Sequence, residues 1–92
     1  MGTSSDLVMV EFFGVPRQRA GRAELAVAPG TVAELLATIE RACPGLKGLV
    51  REDGGLARHY LLSIDGREFI TDLQRPVRPG EQVLLLSADA GG

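Results

Sequence analysis

The residues of this chain with the clearest chemical potential are its last two, Gly91-Gly92, which follow Ser87-Ala88-Asp89-Ala90 straight out of an apolar segment, Val83 to Leu86. A carboxylate on glycine has no Cβ beside it, and two consecutive glycines give a backbone slender enough to thread a narrow active site in extended form. The reacting group read from this pattern is the Gly92 carboxylate, with Ala90 and Gly91 as the threading segment. A Gly-Gly ending is also what a frayed terminus shows, since chain ends tolerate small residues. The reading therefore depends on what precedes the tail. Elsewhere the chemistry is sparse. His59 and Cys43 are the single histidine and cysteine, and neither falls in a recognisable nucleophile and base arrangement. One cysteine makes no internal disulfide and no cysteine-rich zinc or iron–sulfur site. Cys43 reads instead as a small buried hydrophobe at a helix end, and His59 as a partly exposed structural residue at a strand start.

Composition narrows the classes further. With 92 residues, 45% of them hydrophobic and 24% charged, the chain is expected to form one domain with one modest core. A net charge of -2 argues against nucleic acid as the main partner, which would require a basic excess gathered on one face. Arg17, Arg19 and Arg22 do cluster, and read as a solvated loop. Met1 to Asp6 is polar, has no signal-peptide character and is expected to be disordered. No apolar run approaches the roughly 20 residues of a membrane span. A reducing cytoplasm fits these features.

The order of elements places the tail. Leu7 to Phe13 alternates as a strand, with Val8, Val10 and Phe12 on one face and Met9, Glu11 and Phe13 on the other. Residues 14–21 read as a long turn into a second strand around Leu25 and Val27, which Pro29-Gly30 terminates. Thr31-Val32-Ala33-Glu34 is a capping box opening a helix, along which Val32, Leu35, Leu36, Ile39 and Cys43 form an apolar stripe. Pro44-Gly45 stops it, and residues 46–58 read as loop. His59 to Asp65 is a third strand, Asp65-Gly66 a tight turn into residues 67–70, Pro76 and Pro79-Gly80 a further turn, and Glu81 to Ser87 the last strand. The expected order is β-β-α-β-β-β, an α+β domain over residues 7–87 with one helix on one face of a mixed sheet, followed by a flexible tail at 88–92. A crossover separates the first and last strands, so they can pair in parallel.

In this order the motifs resemble the MoaD/ThiS sulfur-carrier family, ubiquitin-like proteins of β-grasp fold. The residues that carry the resemblance are Val10-Glu11-Phe12-Phe13-Gly14, Ala20-Gly21, Thr31-Val32-Ala33-Glu34-Leu35-Leu36, Pro44-Gly45-Leu46, Leu62-Ser63-Ile64-Asp65-Gly66, Val77-Arg78-Pro79-Gly80-Glu81-Gln82-Val83 and Ala90-Gly91-Gly92. They span nearly all of the chain beyond Asp6. The chain length, the Phe12-Phe13-Gly14 strand end and the Ala-Gly-Gly ending look more like MoaD, the small subunit of molybdopterin synthase, than like ThiS. Ser87-Ala88-Asp89 departs from the prolines and hydrophobic residue that many such carriers have before Ala-Gly-Gly.

The resemblance implies a carrier rather than an enzyme. An E1-like adenylating partner would use ATP to convert the Gly92 carboxylate to an acyl adenylate. A sulfur donor, a desulfurase or rhodanese-like protein bearing a persulfide, would then displace AMP and leave a thiocarboxylate. A sulfur-accepting enzyme, such as the molybdopterin synthase large subunit, would receive the sulfur. No cofactor or metal is expected on the carrier itself. Other implied uses are sulfur supply for cysteine, thiamin or thio-containing natural products, and attachment to proteins as a ubiquitin-like modifier. A β-grasp interaction module with an inert tail is the remaining reading.

Such partners need a docking surface, and strand periodicity predicts one. If Val8, Val10, Phe12, Leu62, Ile64, Val83 and Leu85 pack under the helix, the opposite face presents Met9, Phe13, Leu61, Leu84 and Leu86. That face is apolar for one turned to water, and its expected role is partner binding beside the tail.

Overall fold

Alternating burial builds the sheet. In strand β1 (Val8–Phe12) Val8, Val10 and Phe12 are buried while Met9 is exposed and Glu11 is half-buried, the period-2 pattern of a strand with one packed face. The computed structural model describes residues 6–88. The expectations for residues 1–5 and for Asp89, Ala90, Gly91 and Gly92 lie outside the described residues.

After β1 the chain does not loop loosely, as the sequence reading expects for residues 14–21, but forms a short helix, α1 (Val15–Ala20). Pro16 stands in its first turn, where its locked φ suits a helix and its missing N–H costs nothing, and its ring is buried. Gly21 closes the helix in the left-handed conformation, donating its N–H to Arg17 O at 3.0 Å. The dense Gly and Pro punctuation that reads as loop is thus the punctuation of a helix too short to show an apolar period.

Strand β2 (Glu24–Val27) then runs antiparallel to β1, with Val8 opposite Val27 and Glu11 opposite Glu24. Gly30 and Pro76, read as turn residues, belong to a two-stranded ribbon in which β3 (Gly30–Thr31) pairs antiparallel with β6 (Pro76–Val77). The ribbon seats the main helix, α2 (Val32–Ala42). Val32 and Ala33 donate their N–H groups to Arg75 O and Leu73 O at 2.9 and 2.8 Å, which satisfies donors that a helix start leaves without intrahelical partners. The capping box is present: Glu34 N–H donates to Thr31 Oγ1 at 3.2 Å and Thr31 N–H to Glu34 Oε1 at 2.8 Å. Val32, Leu35, Leu36 and Ile39 point into the core, and Cys43 beyond them is buried with a free thiol.

A single 3-10 turn over Pro44–Leu46 carries the chain against α1. A Cβ at Gly45 would stand 2.1 Å from Arg19 O, so only glycine permits this approach. The long connection beyond it is anchored, not loose. Glu40 Oε2 accepts the N–H groups of Gly48 and Leu49 at 2.9 and 2.8 Å, Val50 bridges Leu56, and Leu46, Leu49 and Ala57 are buried.

Strands β4 (Tyr60–Ile64), β5 (Glu68–Phe69) and β7 (Gln82–Ser87) complete a five-stranded sheet of order β2-β1-β7-β4-β5. Asp65 and Gly66, with φ of 56° and 68°, form the tight turn between β4 and β5, across which Arg67 N–H donates to Ile64 O. Positive φ at both central positions is what an Asp-Gly hairpin turn supplies. The first and last long strands pair in parallel, Val10 opposite Val83 and Phe12 opposite Leu85, while the other sheet contacts are antiparallel. A mixed sheet packed on one main helix is the β-grasp architecture. All seven residues expected under the helix are buried, joined by Val27, Leu46, Leu49, Leu73 and Val77. Among the described residues no helix is long and apolar enough to cross a membrane.

Candidate functional site

The sheet face away from α2 carries the residues that periodicity turned outward. Met9, Phe13 and Leu61 are 39%, 41% and 36% exposed, and Leu84 and Leu86 are half-buried. Register brings them together in two rows. In one, Leu86 faces Leu61 across β7 and β4, and Phe13, the next position after the Phe12 to Leu85 pair, follows beside it, donating its N–H to Leu85 O at 3.0 Å. In the other, Glu11, Leu84, Ser63 and Phe69 lie across β1, β7, β4 and β5. Met9 stands apart from both, level with Gln82 and Ala26. Four of the five expected residues therefore form one cluster at the end of β7, with Met9 at its margin.

Phe69 is the residue that the sequence reading missed. It is 64% exposed and opposite Ser63, extending the apolar face onto the edge strand. A two-residue Asp-Gly turn read alone does not place it. The ladder pairs Ile64 with Glu68 instead of Arg67, one residue beyond the turn hydrogen bond, and this shift puts Phe69 on the outer side. With Leu56, Ala57, Leu61 and Ile70 it lines a cavity of about 220 Å³, whose lining also includes Arg51 and Arg58. Arg51 is paired with Asp53 at 3.0 Å. The Gly55 N–H donated to Asp53, together with the neighbouring Arg51 guanidinium, holds that carboxyl below its ordinary value.

The chain leaves the sheet at the Phe13 to Leu61 end of this face. Ser87 is buried opposite Tyr60, and Ala88 N–H donates to His59 O at 2.8 Å. His59 thus steadies the exit through its backbone, while its exposed ring tilts against Tyr60 with centroids 4.4 Å apart. Val15, Arg19, His59 and Ser87 line a shallow recess there, and Arg19 Nη1 donates to Tyr60 Oη at 3.2 Å, tying α1 to β4. On the other flank Gln82 Nε2 donates to Glu11 Oε1. Among the described residues no group of three or more His, Cys, Asp or Glu is arranged to hold a metal ion. The arrangement offers an apolar surface and a guided chain exit.

Neither a scan against protein-family models nor a search of curated proteins gives a match. Solved structures do match over nearly the whole chain. SAMP1 from Haloferax volcanii, solved also as small archaeal modifier protein 1 of that organism, has a TM-score of 0.79 at 23% identity, covering 94% of this chain and 99% of its own. A chain of the Amycolatopsis orientalis BexX/CysO complex gives 0.77 at 24% identity, covering 92% and 99%. A protein from Pyrococcus furiosus described as molybdopterin converting factor subunit 1 gives 0.71 at 22%, covering 90% and 98%. The shared fold is the β-grasp fold, and at that level the resemblance drawn from the motifs to MoaD/ThiS carriers holds.

Proposed function

We propose that this chain is a sulfur carrier of the MoaD/ThiS kind, whose Gly92 carboxylate is activated by a partner and converted to a thiocarboxylate. The observation that carries the reading is the apolar cluster of Phe13, Leu61, Leu84, Leu86 and Phe69 gathered around the end of β7, where the chain departs toward Gly91-Gly92. From Ala88 four further residues lead to Gly92. Fully extended they reach at most about 13 to 14 Å, enough for a partner docked on the outer face to take the carboxylate into its own active site.

In this mechanism the chain supplies an electrophile precursor and a handle. A carboxylate is a poor electrophile, so the partner transfers an adenylyl group from ATP to Gly92 with loss of pyrophosphate. The terminal sulfur of a donor persulfide displaces AMP, and cleavage of the sulfur–sulfur bond by a thiol leaves the thiocarboxylate. The sulfur then acts as a nucleophile inside an acceptor enzyme. Burying one Leu or Phe fully is worth about 1.5 to 3 kcal/mol, so partial burial of four or five such residues offsets much of the cost of association. The P. furiosus likeness favours molybdopterin synthesis as the acceptor pathway, and the likeness to a chain of the BexX/CysO complex supports action while docked on a partner protein.

A second reading, attachment of Gly92 to a lysine amine, is favoured by the likeness to a small archaeal modifier protein. Both readings begin with adenylation and diverge in the product. The test is intact mass before and after incubation with ATP, the host's adenylating enzyme and a persulfide source. A gain equal to replacing one oxygen by sulfur, abolished by deleting Gly92, supports the carrier. Conjugated species support the modifier. An unaltered chain beside a demonstrably active enzyme overturns both.

A further inference from the structure

The three arginines that read as a solvated loop are not scattered along a loop. α1 and the turn after it hold Arg17, Arg19 and Arg22 at the end of the molecule where β7 leaves the sheet. Gly14, which opens α1, lies against Ser87: a Cβ there would meet Ser87 Cβ at 3.8 Å. A recess between α1 and the start of β2 is lined by Gly14, Arg17, Gln18, Gly21, Arg22 and Ala23. Its residue Gly14 stands in the chain between exposed Phe13 and exposed Val15 and lies against Ser87 at the end of β7.

The recess is basic and held in shape. Among the described residues neither Arg17 nor Arg22 has a carboxylate within 4.0 Å. Arg22 spends its Nε on Glu24 O at 2.9 Å, which orients the guanidinium and leaves its two Nη groups as a fork for a carboxylate. The backbone beneath is fixed by Gln18 N–H to Gly14 O at 3.1 Å and Gly21 N–H to Arg17 O at 3.0 Å, and by buried Pro16. Arg17 near the C-terminal end of α1 also complements the helix dipole, but that role does not account for Arg22 beyond the helix. In a chain of net charge -2, a preorganised recess lined by two arginines is a local exception.

We infer that the adenylating partner docking on the outer face presents an aspartate or glutamate side chain to this recess, between Arg17 and Arg22, so that charge selects and orients the enzyme that the apolar cluster binds. The inference rests on the carrier reading and deepens it by stating the chemistry of the partner's rim. Opposite charges at an interface margin act on encounter rate and register more than on residence.

The experiment measures association of the full chain with the host's adenylating enzyme, at low and high salt, for the parent, Arg17→Glu/Arg22→Glu, Arg17→Gln/Arg22→Gln and Leu86→Asp, with melting curves of each. The Gln pair keeps the test sound if charge reversal disturbs folding. The expected result is a loss of about ten-fold or more in association rate at low salt for the Glu pair, a smaller loss for the Gln pair, and a flatter salt dependence for both. If the Glu and Gln pairs associate at the parental rate with the parental salt dependence while Leu86→Asp binds weakly, the carboxylate contact is refuted and the docking face stands. A parent chain that the active enzyme neither binds nor adenylates refutes the carrier reading, and this inference with it.

Discussion

Gly92 and Leu86 test different statements about the same end of the chain. Gly92→Val adds a branched Cβ beside the carboxylate and restricts the backbone that must thread a partner. The expected outcome is loss of adenylation with an unchanged melting curve, and a variant adenylated at the parental rate would remove the threading argument. Leu86→Asp places a charge in the middle of the apolar cluster, at a half-buried position on the face opposite the core. Partner binding should weaken while cooperative unfolding persists. Simultaneous loss of both would put Leu86 in the structural core, against the alternation of β7. Gly45→Ala drives a Cβ into Arg19 O, and the resulting displacement should cost about 1 to 3 kcal/mol, read as a lower denaturant midpoint.

At the scale of elements, α2 and α1 differ in how they are specified. α2 has its own start signal, and Thr31→Ala should remove the Oγ1 acceptor for Glu34 N–H at a cost of about 1 kcal/mol, measurable by chemical denaturation without effect on adenylation. α1 has six residues, one of them buried. A helix so short is marginal by itself, and its place depends on the Arg19 to Tyr60 hydrogen bond and on the approach of Gly45. It sets where Arg17 and Arg22 stand, the residues on which the inferred carboxylate contact rests.

At the scale of the whole molecule, β7 is the member that joins the core to the proposed docking face. It lies between β1 and β4, and its inward residues Val83 and Leu85 are buried while Leu84 and Leu86 lie on the outer face. Leu85→Ala should cost about 2 to 5 kcal/mol, a large part of the roughly 5 to 15 kcal/mol typical of a whole domain. Stability and partner binding should then fall together, in contrast with Leu86→Asp. Equilibrium unfolding of the two neighbouring variants, set beside their binding, separates the inner face from the outer one.

What the sequence determined by itself was whatever repeats at short range. The alternation in β1, β4 and β7 assigns both faces, so the seven strand residues under the helix and the exposure of Met9, Phe13 and Leu61 are legible before any fold is known. The Thr31 to Glu34 capping box and the Asp65-Gly66 turn are likewise local chemistry, and a chain of 92 residues leaves few ways to cover one apolar face with one helix. Tertiary structure decided the rest. The β3 and β6 ribbon joins segments too short to carry a period. Phe69 reaches the outer face through a register shift that no turn signal encodes. Arg17 and Arg22 came to line one recess, and Arg19 another with Ser87, through contacts of α1 with β7 and the 3-10 turn. In each case the deciding term is a contact between residues distant in the chain, and such a contact leaves no periodic trace in the sequence.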